Sequence, residues 1–324
     1  MLENAIFQIT NNAQFEALAL QVFQYQYTHV SVYQDFCNLM NKTPTNVKTW
    51  ENIPFLPIEF FKTHPILSSD KKATIQFTSS GTTGTIVSKH FVGDVSLYEE
   101  SFLRTFQLFY GNPKDWTLLA LLPSYLERDG SSLIYMVQNL IEKTENPNSG
   151  FYLNNHDALI QKMLEQEAKG KKTLLIGVSY ALLDLIEKKH FQLIHTTVLE
   201  TGGMKGKRKE LIKSALHDKL KKGFGVSEIH SEYGMTELLS QAYSVGEGLF
   251  KTPPWMKIRT RDTEDALTWV SGKTGGINII DLANLYSCSF IATQDLGKLH
   301  PNENFEILGR FDTSDIRGCN LMVL

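Results

Sequence analysis

The sequence has few cysteines, no marked excess of either charge and no long apolar run. Its 324 residues include three cysteines, Cys37, Cys288 and Cys319, which form neither a disulfide framework nor a zinc-binding pattern. The net charge of −3 does not indicate nucleic acid or an anionic membrane as a partner. No apolar run reaches the roughly 20 residues that a membrane span needs, and the N-terminus lacks the features of a secretory signal. We therefore expect a soluble, cytoplasmic protein.

The order of the apolar segments predicts an α/β fold. The strand-like runs WTLLALLP, KKTLLIGV and HTTVLETGG are each followed by a helix-like run. Strands separated by helices of this length are typical of βαβ units, so a mainly parallel sheet flanked by helices is expected. Earlier in the chain, helical spacing predicts a helix from Asn12 to about Leu39, and the prolines of ENIPFLPIEFFKTHPIL predict an extended connector. A further helix is predicted to end at Gly111.

The length and spacing of the apolar segments change after about Lys251. Segments such as INIIDL and FEILGR are shorter and are separated by glycine and aspartate turns. This pattern predicts a small β-rich lobe. We place a domain boundary near Phe250, with an α/β nucleotide- and acyl-binding core over residues 1–250 and the β-rich lobe over residues 251–324.

A stretch rich in glycine and small hydroxyl residues follows the strand-like TIQF. It consists of Ser79, Ser80, Gly81, Thr82, Thr83 and Gly84. Glycines let the backbone turn its N–H groups toward an anion, and hydroxyls add neutral donors. The stretch is not a Walker A loop, because it lacks the G-x-x-x-x-G-K-[ST] spacing. It is either a phosphate-binding loop of another kind or a solvated linker.

Four further motifs favour the phosphate-binding interpretation. Thr201-Gly202-Gly203 ends a strand-like run, where a backbone without side chains can approach a flat ring. EYGMTE, from Glu232 to Glu237, places an aromatic ring, a hydroxyl and a carboxylate close together in the sequence. Asp295 in TQDLG offers an acid suited to ribose hydroxyls, and Arg310 in GRFD offers a cation.

In this order, TSSGTTG, TGG, EYGMTE, TQDLG and GRFDTSDIRG resemble the motifs of the adenylate-forming superfamily. The superfamily contains acyl- and aryl-CoA ligases, luciferases and the adenylation domains of peptide synthetases. The matching motifs lie between Thr78 and Gly318. The resemblance implies the N-terminal portion of the adenylate-forming fold, with ATP and Mg²⁺ as cofactors and a carboxylic acid as substrate.

The resemblance also implies roles for individual residues around the ATP phosphates. The loop from Ser79 to Gly84 would hold the phosphates through backbone N–H and hydroxyl groups. Thr236 would contact the α-phosphate, and Glu237 would coordinate Mg²⁺. Superfamily members usually carry Pro-Lys after this loop, whereas here the lysine arrives later, as Lys89. Lys89 is therefore either a phosphate ligand or a surface residue.

The adenosine half of ATP is assigned in the same way. Gly202 and Gly203 would flank the adenine, and Tyr233 would stack on it. Asp295 and Arg310 would hold the ribose.

The second departure concerns the C-terminal end. In full-length superfamily members a mobile domain that carries a lysine follows the GRxD hinge. Only 12 residues follow Asp312 here (324 − 312), so we expect the chain to lack that domain. Acyl-protein synthetases of the LuxE type resemble this chain in ending shortly after the hinge, and also in a segment akin to IPFLPIEFFKTH.

The LuxE-type resemblance implies that a fatty acid is activated as acyl-AMP and then transferred to a cysteine near the C-terminus. Cys319 would be that acceptor, with Arg317 lowering the pKa of its thiol, and the acyl group would pass to an acyl reductase or an acyl-carrier protein. The alternative is that Cys319 is an apolar residue of a last strand. Cys37 and Cys288 are predicted to lie in the core.

Three further sets of residues are weaker candidates for functional roles, and each also has a simple structural explanation. Ser124, Tyr125 and Arg128 belong either to the acyl or phosphate pocket or to an ordinary loop. His230 contacts the acyl carboxylate or is a hydrogen-bonded structural histidine. The basic residues 205–209 form a solvated face or dock an acidic partner.

Two other functions are compatible with the sequence. One is an acyltransferase that takes acyl groups from a carrier protein or CoA without adenylation. The other is a non-catalytic subunit that binds a nucleotide or an acyl group.

Overall fold

The computed structural model describes residues 2–80, 86–123, 130–202, 208 and 211–311. Within this part of the chain, no helix combines the length and the apolar character needed to cross a membrane.

The N-terminal region is helical and is followed by a largely extended connector. Its elements are α1 (Leu2–Ile6), α2 (Asn12–His29), α3 (Ser31–Leu39), β1 (Leu56–Pro57) and α4 (Phe60–Thr63), with a 3₁₀ turn at Trp50–Asn52. The single helix predicted from Asn12 to Leu39 is two helices, because the backbone of Val30 is extended. The connector contains the short helix α4, which the prolines on either side did not predict.

A β-hairpin and a long helix come next. The hairpin consists of β2 (Ile75–Thr78) and β3 (Lys89–Val92), which pair antiparallel, and α5 (Val95–Tyr110) follows it. Asp94 caps the start of α5 by accepting a hydrogen bond from the backbone N–H of Ser96. The helix ends at Gly111, as predicted, where φ is +80° and glycine is favoured. The Ser/Thr/Gly stretch connects the two strands of this hairpin.

The middle of the chain alternates strands and helices. Its elements are β4 (Thr117–Leu121), α6 (Ser132–Thr144), β5 (Gly150–Phe151), α7 (His156–Ala168), β6 (Thr173–Val178), α8 (Ser179–Lys188), β7 (Thr196–Thr201), α9 (Lys213–Phe224) and β8 (His230–Tyr233). The strands are parallel in the order β5-β4-β6-β7-β8. The predicted βαβ organisation is confirmed. Strands β4 and β6 are buried along their whole length, which explains their continuous apolar sequences.

The last part of the described chain is almost entirely β-structure. It contains β9 (Ala242–Ser244), β10 (Phe250–Lys251), β11 (Met256–Arg261), β12 (Trp269–Val270), β13 (Thr274–Asp281), β14 (Phe290–Leu299) and β15 (Phe305–Arg310), with a 3₁₀ turn at Leu282–Asn284. These strands extend the parallel sheet in the order β8-β9-β10-β15-β14-β13-β11-β12. Their pairings are antiparallel.

The sheet is continuous across the predicted domain boundary. Phe250 pairs with Ser244 on one side and with Phe305 on the other, so β10 joins the two regions. The N-terminal region also packs on the later strands: β1 pairs with β14, and the ring of Tyr33 stacks on Phe290 with centroids 6.0 Å apart. The α/β fold class is confirmed, with its parallel strands in the first half of the sheet. In the described chain the last α-helix ends at Phe224 and antiparallel strands begin at Ala242, so β-rich structure starts before the predicted Lys251. The division into domains stays a prediction.

Candidate functional site

Two of the predicted motifs meet at the carboxyl ends of the parallel strands β7 and β8. Thr201, the last residue of β7, is the register partner of Glu232 on β8 and donates a hydrogen bond to its carboxylate. Gly202 therefore lies beside Tyr233. Its φ of +56° is in the left-handed region that favours glycine, and its carbonyl accepts a hydrogen bond from the Ser179 hydroxyl at 3.2 Å. Carboxyl ends of strands are where ligand sites of α/β sheets open.

Tyr233, Asp295 and Arg310 form one hydrogen-bonded group. The Tyr233 hydroxyl donates to Asp295 Oδ2 at 2.7 Å, and Arg310 Nε donates to Asp295 Oδ1 at 2.9 Å. Burial and the nearby Asp295 carboxylate raise the pKa of Tyr233, so its phenol keeps the donated proton. The antiparallel pairing of β14 and β15 places Asp295 directly opposite Arg310, which explains why TQDLG and GRFD lie together.

Glu237 is a buried carboxylate next to the β2–β3 hairpin. Burial raises its pKa, while a hydrogen bond from the Ser88 hydroxyl and the charge of Arg310 act in the opposite direction. Glu237 is 6% exposed. The preceding residue, Thr236, is held to the same hairpin, because its carbonyl accepts a hydrogen bond from His90 Nδ1 at 2.9 Å. The hairpin and EYGMTE thus lie against each other.

The two ends of the Ser/Thr/Gly stretch are joined at a narrow neck. The backbone N–H of Ser88 donates to Ser79 Oγ at 2.9 Å, and the N–H of Ser79 donates to the Ser88 carbonyl at 3.1 Å. Ser80 is exposed beyond this neck. Gly81, Thr82, Thr83 and Gly84 lie outside the described residues.

Lys89 lies on the other face of β3. Side chains alternate along a strand, and Ser88 and His90 are buried whereas Lys89 is exposed. This orientation favours the surface alternative for Lys89.

His230 is in contact with an aromatic residue at the opposite end of β8 from Tyr233. Its Nδ1 lies 3.2 Å from the Tyr110 hydroxyl, and the two rings stack with centroids 5.8 Å apart. Burial lowers the pKa of His230. These contacts agree with the structural alternative for this histidine.

Cys37 and Cys288 are core residues, as predicted. Both are 0% exposed, and burial raises the pKa of both thiols, that of Cys37 to about 12. In the basic cluster, Arg208 is ion-paired with Asp184 and Glu187. The other residues of interest lie outside the described part: Ser124, Tyr125, Arg128, Gly203, Lys205, Lys207, Lys209, Asp312, Arg317 and Cys319.

The sequence analysis missed two residues that fix the backbone after Glu237. Asp281 accepts hydrogen bonds from the N–H groups of Leu239 and Ser240, at 2.9 and 2.8 Å. Asn284 Nδ2 donates to the Glu237 carbonyl at 2.7 Å. Both side chains are 0% exposed. Their only signal in the sequence is that they are two of the three polar residues in the otherwise apolar run INIIDLAN.

A second buried carboxylate, Glu200, supports the end of β7. Burial alone raises its pKa, but hydrogen bonds from His217 and Ser231 and the charge of Lys213 lower it to about 2. The Lys213 ammonium lies 2.7 Å from Glu200 Oε1, and the Ser231 hydroxyl is equally close. This ionised group ties α9 and β8 to β7, beneath Gly202.

The described residues contain no cluster of three or more His, Cys, Asp or Glu side chains that could hold a metal ion by itself. Mg²⁺ in nucleotide sites is usually held by one or two carboxylates, with phosphate oxygens and water completing its shell. A single carboxylate at Glu237 fits a Mg²⁺ ion that arrives with nucleotide phosphates.

Comparison with known proteins gives one family and one fold. The profile of the LuxE family of acyl-protein synthetases matches residues 7–99 and 140–324. No curated protein matches the chain significantly.

Two of the similar solved structures contain a bound adenylate or nucleotide. A 2-hydroxyisobutyryl-CoA ligase in complex with 2-HIB-AMP and CoA aligns with a TM-score of 0.66 at 13% identity, over 94% of this chain and 77% of that chain. MatB from Rhodopseudomonas palustris with bound ATP aligns with a TM-score of 0.54 at 19% identity, over 72% of this chain and 47% of that chain. At these identities the similarity establishes the fold, which is that of the adenylate-forming ligases.

Proposed function

Since the chain belongs to the LuxE acyl-protein synthetase family, whose fold is that of adenylate-forming ligases, we propose that it activates a fatty acid with ATP and transfers the acyl group to a thiol. One observation carries this proposal: Tyr233, Asp295, Arg310 and Glu237 converge beside the hairpin that holds the Ser/Thr/Gly loop. These residues come from three separate motifs, EYGMTE, TQDLG and GRFD, and the Ser/Thr/Gly loop is the fourth; an adenylate is a ligand that contacts all four.

The adenosine half of ATP binds at the carboxyl ends of β7 and β8. Gly202 and Gly203 flank the adenine, and the Tyr233 ring stacks on it. Asp295 accepts hydrogen bonds from the ribose hydroxyls. Its carboxylate is already oriented by Tyr233 and Arg310, so little ordering is needed when the nucleotide binds.

The phosphates bind between the loop and EYGMTE. Residues 79–84 donate backbone and hydroxyl hydrogens to the β- and γ-phosphates, and the Thr236 hydroxyl contacts the α-phosphate. Glu237 holds Mg²⁺, which supplies charge neutralisation when bound. A substrate carboxylate oxygen then attacks the α-phosphorus, the bond to the bridging oxygen breaks, and pyrophosphate leaves. The protein contributes by positioning the reactants and stabilising charge.

The acyl group is then transferred to Cys319. Its thiolate attacks the acyl carbonyl of acyl-AMP, a thioester forms, and AMP leaves with the electrons of the broken C–O bond. Cys37 and Cys288 are unsuited to this step, since both are fully buried and have raised pKa values. A cytoplasmic partner, an acyl reductase or an acyl-carrier protein, collects the acyl group.

ATP–pyrophosphate exchange over a panel of fatty and aryl acids tests this function. We expect acid-dependent exchange that survives Cys319→Ser, while labelling of the protein by radioactive acid and ATP disappears in that variant. Acylation from acyl-CoA or an acyl-carrier protein without any exchange would instead identify an acyltransferase. Nucleotide binding without either reaction would identify a non-catalytic subunit.

A further inference from the structure

His90 is a fully buried histidine that joins strand β3 to two distant segments. It is 0% exposed. Its Nδ1 lies 2.9 Å from the carbonyl oxygen of Thr236, and its Nε2 lies 2.8 Å from the hydroxyl of Ser287. These partners are 146 and 197 positions away in the sequence. No motif in the sequence pointed to this histidine.

The partners of His90 fix its tautomer and its orientation. A carbonyl oxygen can only accept, so Nδ1 must carry a hydrogen. Burial lowers the pKa of His90 to about 4, which keeps the ring neutral near neutral pH. Nε2 therefore accepts the hydroxyl hydrogen of Ser287. Phe61 packs edge-on against the imidazole with centroids 5.5 Å apart, which further restricts the ring.

Ser88 and His90 act on the same turn from the same face of β3. Ser88 directly precedes β3 and lies two positions before His90, and both side chains are buried on the same side. The Ser88 hydroxyl binds the Glu237 carboxylate, and His90 binds the Thr236 carbonyl. Ser88 also closes the neck of the loop through Ser79. Ser88, just before β3, and His90, within it, therefore relate the neck of the loop to the turn at 236–237.

We propose that His90 is a positioning residue that sets the distance between the Ser79–Ser88 neck of the phosphate-binding loop and the Thr236–Glu237 turn. The proposal rests on the function proposed above. His90 does not touch the nucleotide; it acts through the Thr236 carbonyl. A bound triphosphate has to contact both the loop and the turn, so any change in their separation weakens its simultaneous binding to both. AMP, which lacks the β- and γ-phosphates, is much less sensitive to this separation.

Two isosteric substitutions of His90 separate this role from general stability. The amide nitrogen of Asn superimposes on Nδ1, whereas that of Gln superimposes on Nε2. His90→Asn can thus keep the donor to Thr236, and His90→Gln loses it. We expect His90→Gln to reduce Mg²⁺-ATP affinity and the exchange rate by about 10- to 100-fold, the range typical of residues that orient metal ligands. His90→Asn should recover most of this loss.

Three further measurements complete the test. AMP affinity without metal, measured by calorimetry, should be nearly equal in His90→Gln and the parent. Ser287→Ala, which removes only the Nε2 partner, should leave Mg²⁺-ATP affinity within a few-fold of the parent. Melting temperatures show whether any loss follows stability, because a purely structural role predicts that AMP and Mg²⁺-ATP binding weaken together.

The outcomes distinguish this proposal from the proposed function. Unchanged Mg²⁺-ATP affinity in His90→Gln, or equal losses in the Asn and Gln variants, would overturn the positioning role. A parent protein that binds Mg²⁺-ATP but shows no exchange with any acid would contradict the proposed function, while the affinity comparison still tests His90. A parent that binds no nucleotide would overturn both.

Discussion

Asp295 and Arg310 face each other across two adjacent antiparallel strands, and Arg310 Nε donates to Asp295 Oδ1 at 2.9 Å. The pair spans the boundary between the interior and the solvent, because the side chain of Asp295 is 7% exposed and that of Arg310 is 77% exposed. The other oxygen of Asp295 accepts from Tyr233. A carboxylate whose two oxygens are both fixed by hydrogen bonds from the protein is suited to accept further hydrogen bonds from the two hydroxyls of a ribose.

Asp295→Asn should weaken AMP binding by about 10- to 100-fold, because a hydrogen bond to a charged group contributes about 1.5–3 kcal/mol. The replacement keeps the shape of the side chain but presents a donor where an acceptor is required. Calorimetry with AMP measures the change. Arg310→Lys is the matched control: it keeps the positive charge and should reduce affinity less. Equal affinity of Asp295→Asn and the parent would remove Asp295 from the ribose site.

Tyr233 combines a ring and a hydroxyl, and two substitutions separate them. If the ring stacks on adenine, Tyr233→Phe should bind AMP within a few-fold of the parent, while Tyr233→Ala should lose about 1–3 kcal/mol, the typical contribution of stacking between a base and an aromatic residue. Circular dichroism of both variants controls for folding. A loss in Tyr233→Phe as large as that in Tyr233→Ala would show that the hydrogen bond to Asp295, and not stacking, is what matters.

Glu237→Gln should lower the exchange rate by about 100-fold or more, the scale seen when one preorganised electrostatic group is removed. The same change should raise the melting temperature near neutral pH. The sign follows from burial, which raises the pKa of Glu237 and makes its charged form costly in the folded state. Glu237→Asp, which keeps the charge but shortens the side chain, is the control. A Gln variant with full Mg²⁺-dependent exchange would contradict the assigned role.

The sequence predicted those elements that depend on local patterns. The strands β4 and β6 are largely apolar runs, and the end of α5 is marked by a glycine at Gly111. The break at Val30 could not be predicted, because no proline or glycine marks it. Helix α7 was not predicted, since its sequence HDALIQKMLEQEA is largely polar.

The sequence predicted the short motifs of the candidate site but not how these motifs contact each other. TQDLG and GRFD are recognisable within a few residues each, but their direct pairing depends on the register of β14 and β15. His90 and Asp281 could not be found from the sequence. His90 bonds to residues 146 and 197 positions away, and Asp281 bonds to Leu239 and Ser240, 42 and 41 positions away. A single buried polar residue has no periodic pattern.

Asp281 should make stability depend on pH in a way that Asp281→Asn does not. Burial, opposed by hydrogen bonds from Ser240, Leu239 and Ala283, raises the pKa of Asp281 from 3.8 to about 6. A raised pKa means that the folded state holds the proton more tightly. The stabilising contribution is therefore complete below the unfolded pKa and is lost as the pH rises through about 6. The interval between the two pKa values corresponds to about 3 kcal/mol of unfolding free energy.

Urea unfolding of the parent and of Asp281→Asn between about pH 4.5 and 7.5 measures this effect. The variant should be less stable throughout, because an amide cannot accept from all four donors of Leu239, Ser240 and Ala283, and each unsatisfied buried donor costs about 1–3 kcal/mol. The difference between the two proteins should shrink as the pH rises toward 6 and stay constant above it. A difference that is independent of pH would contradict the raised pKa.

The three cysteines should differ sharply in reactivity if Cys319 carries the acyl group. Thiolate is the reactive form of cysteine, and the thiols of Cys37 and Cys288 are fully buried with raised pKa values. Brief treatment of the folded protein with iodoacetamide should therefore modify Cys319 alone, as peptide mapping would show, and should abolish acylation while sparing exchange. Prior incubation with ATP, Mg²⁺ and the acid should protect Cys319, since its sulfur is then a thioester, and hydroxylamine should restore its reactivity.

Unfolding in urea before treatment with iodoacetamide is the control and should expose all three thiols. Acylation that persists after complete alkylation of Cys319 would show that the acceptor is a thiol of another molecule.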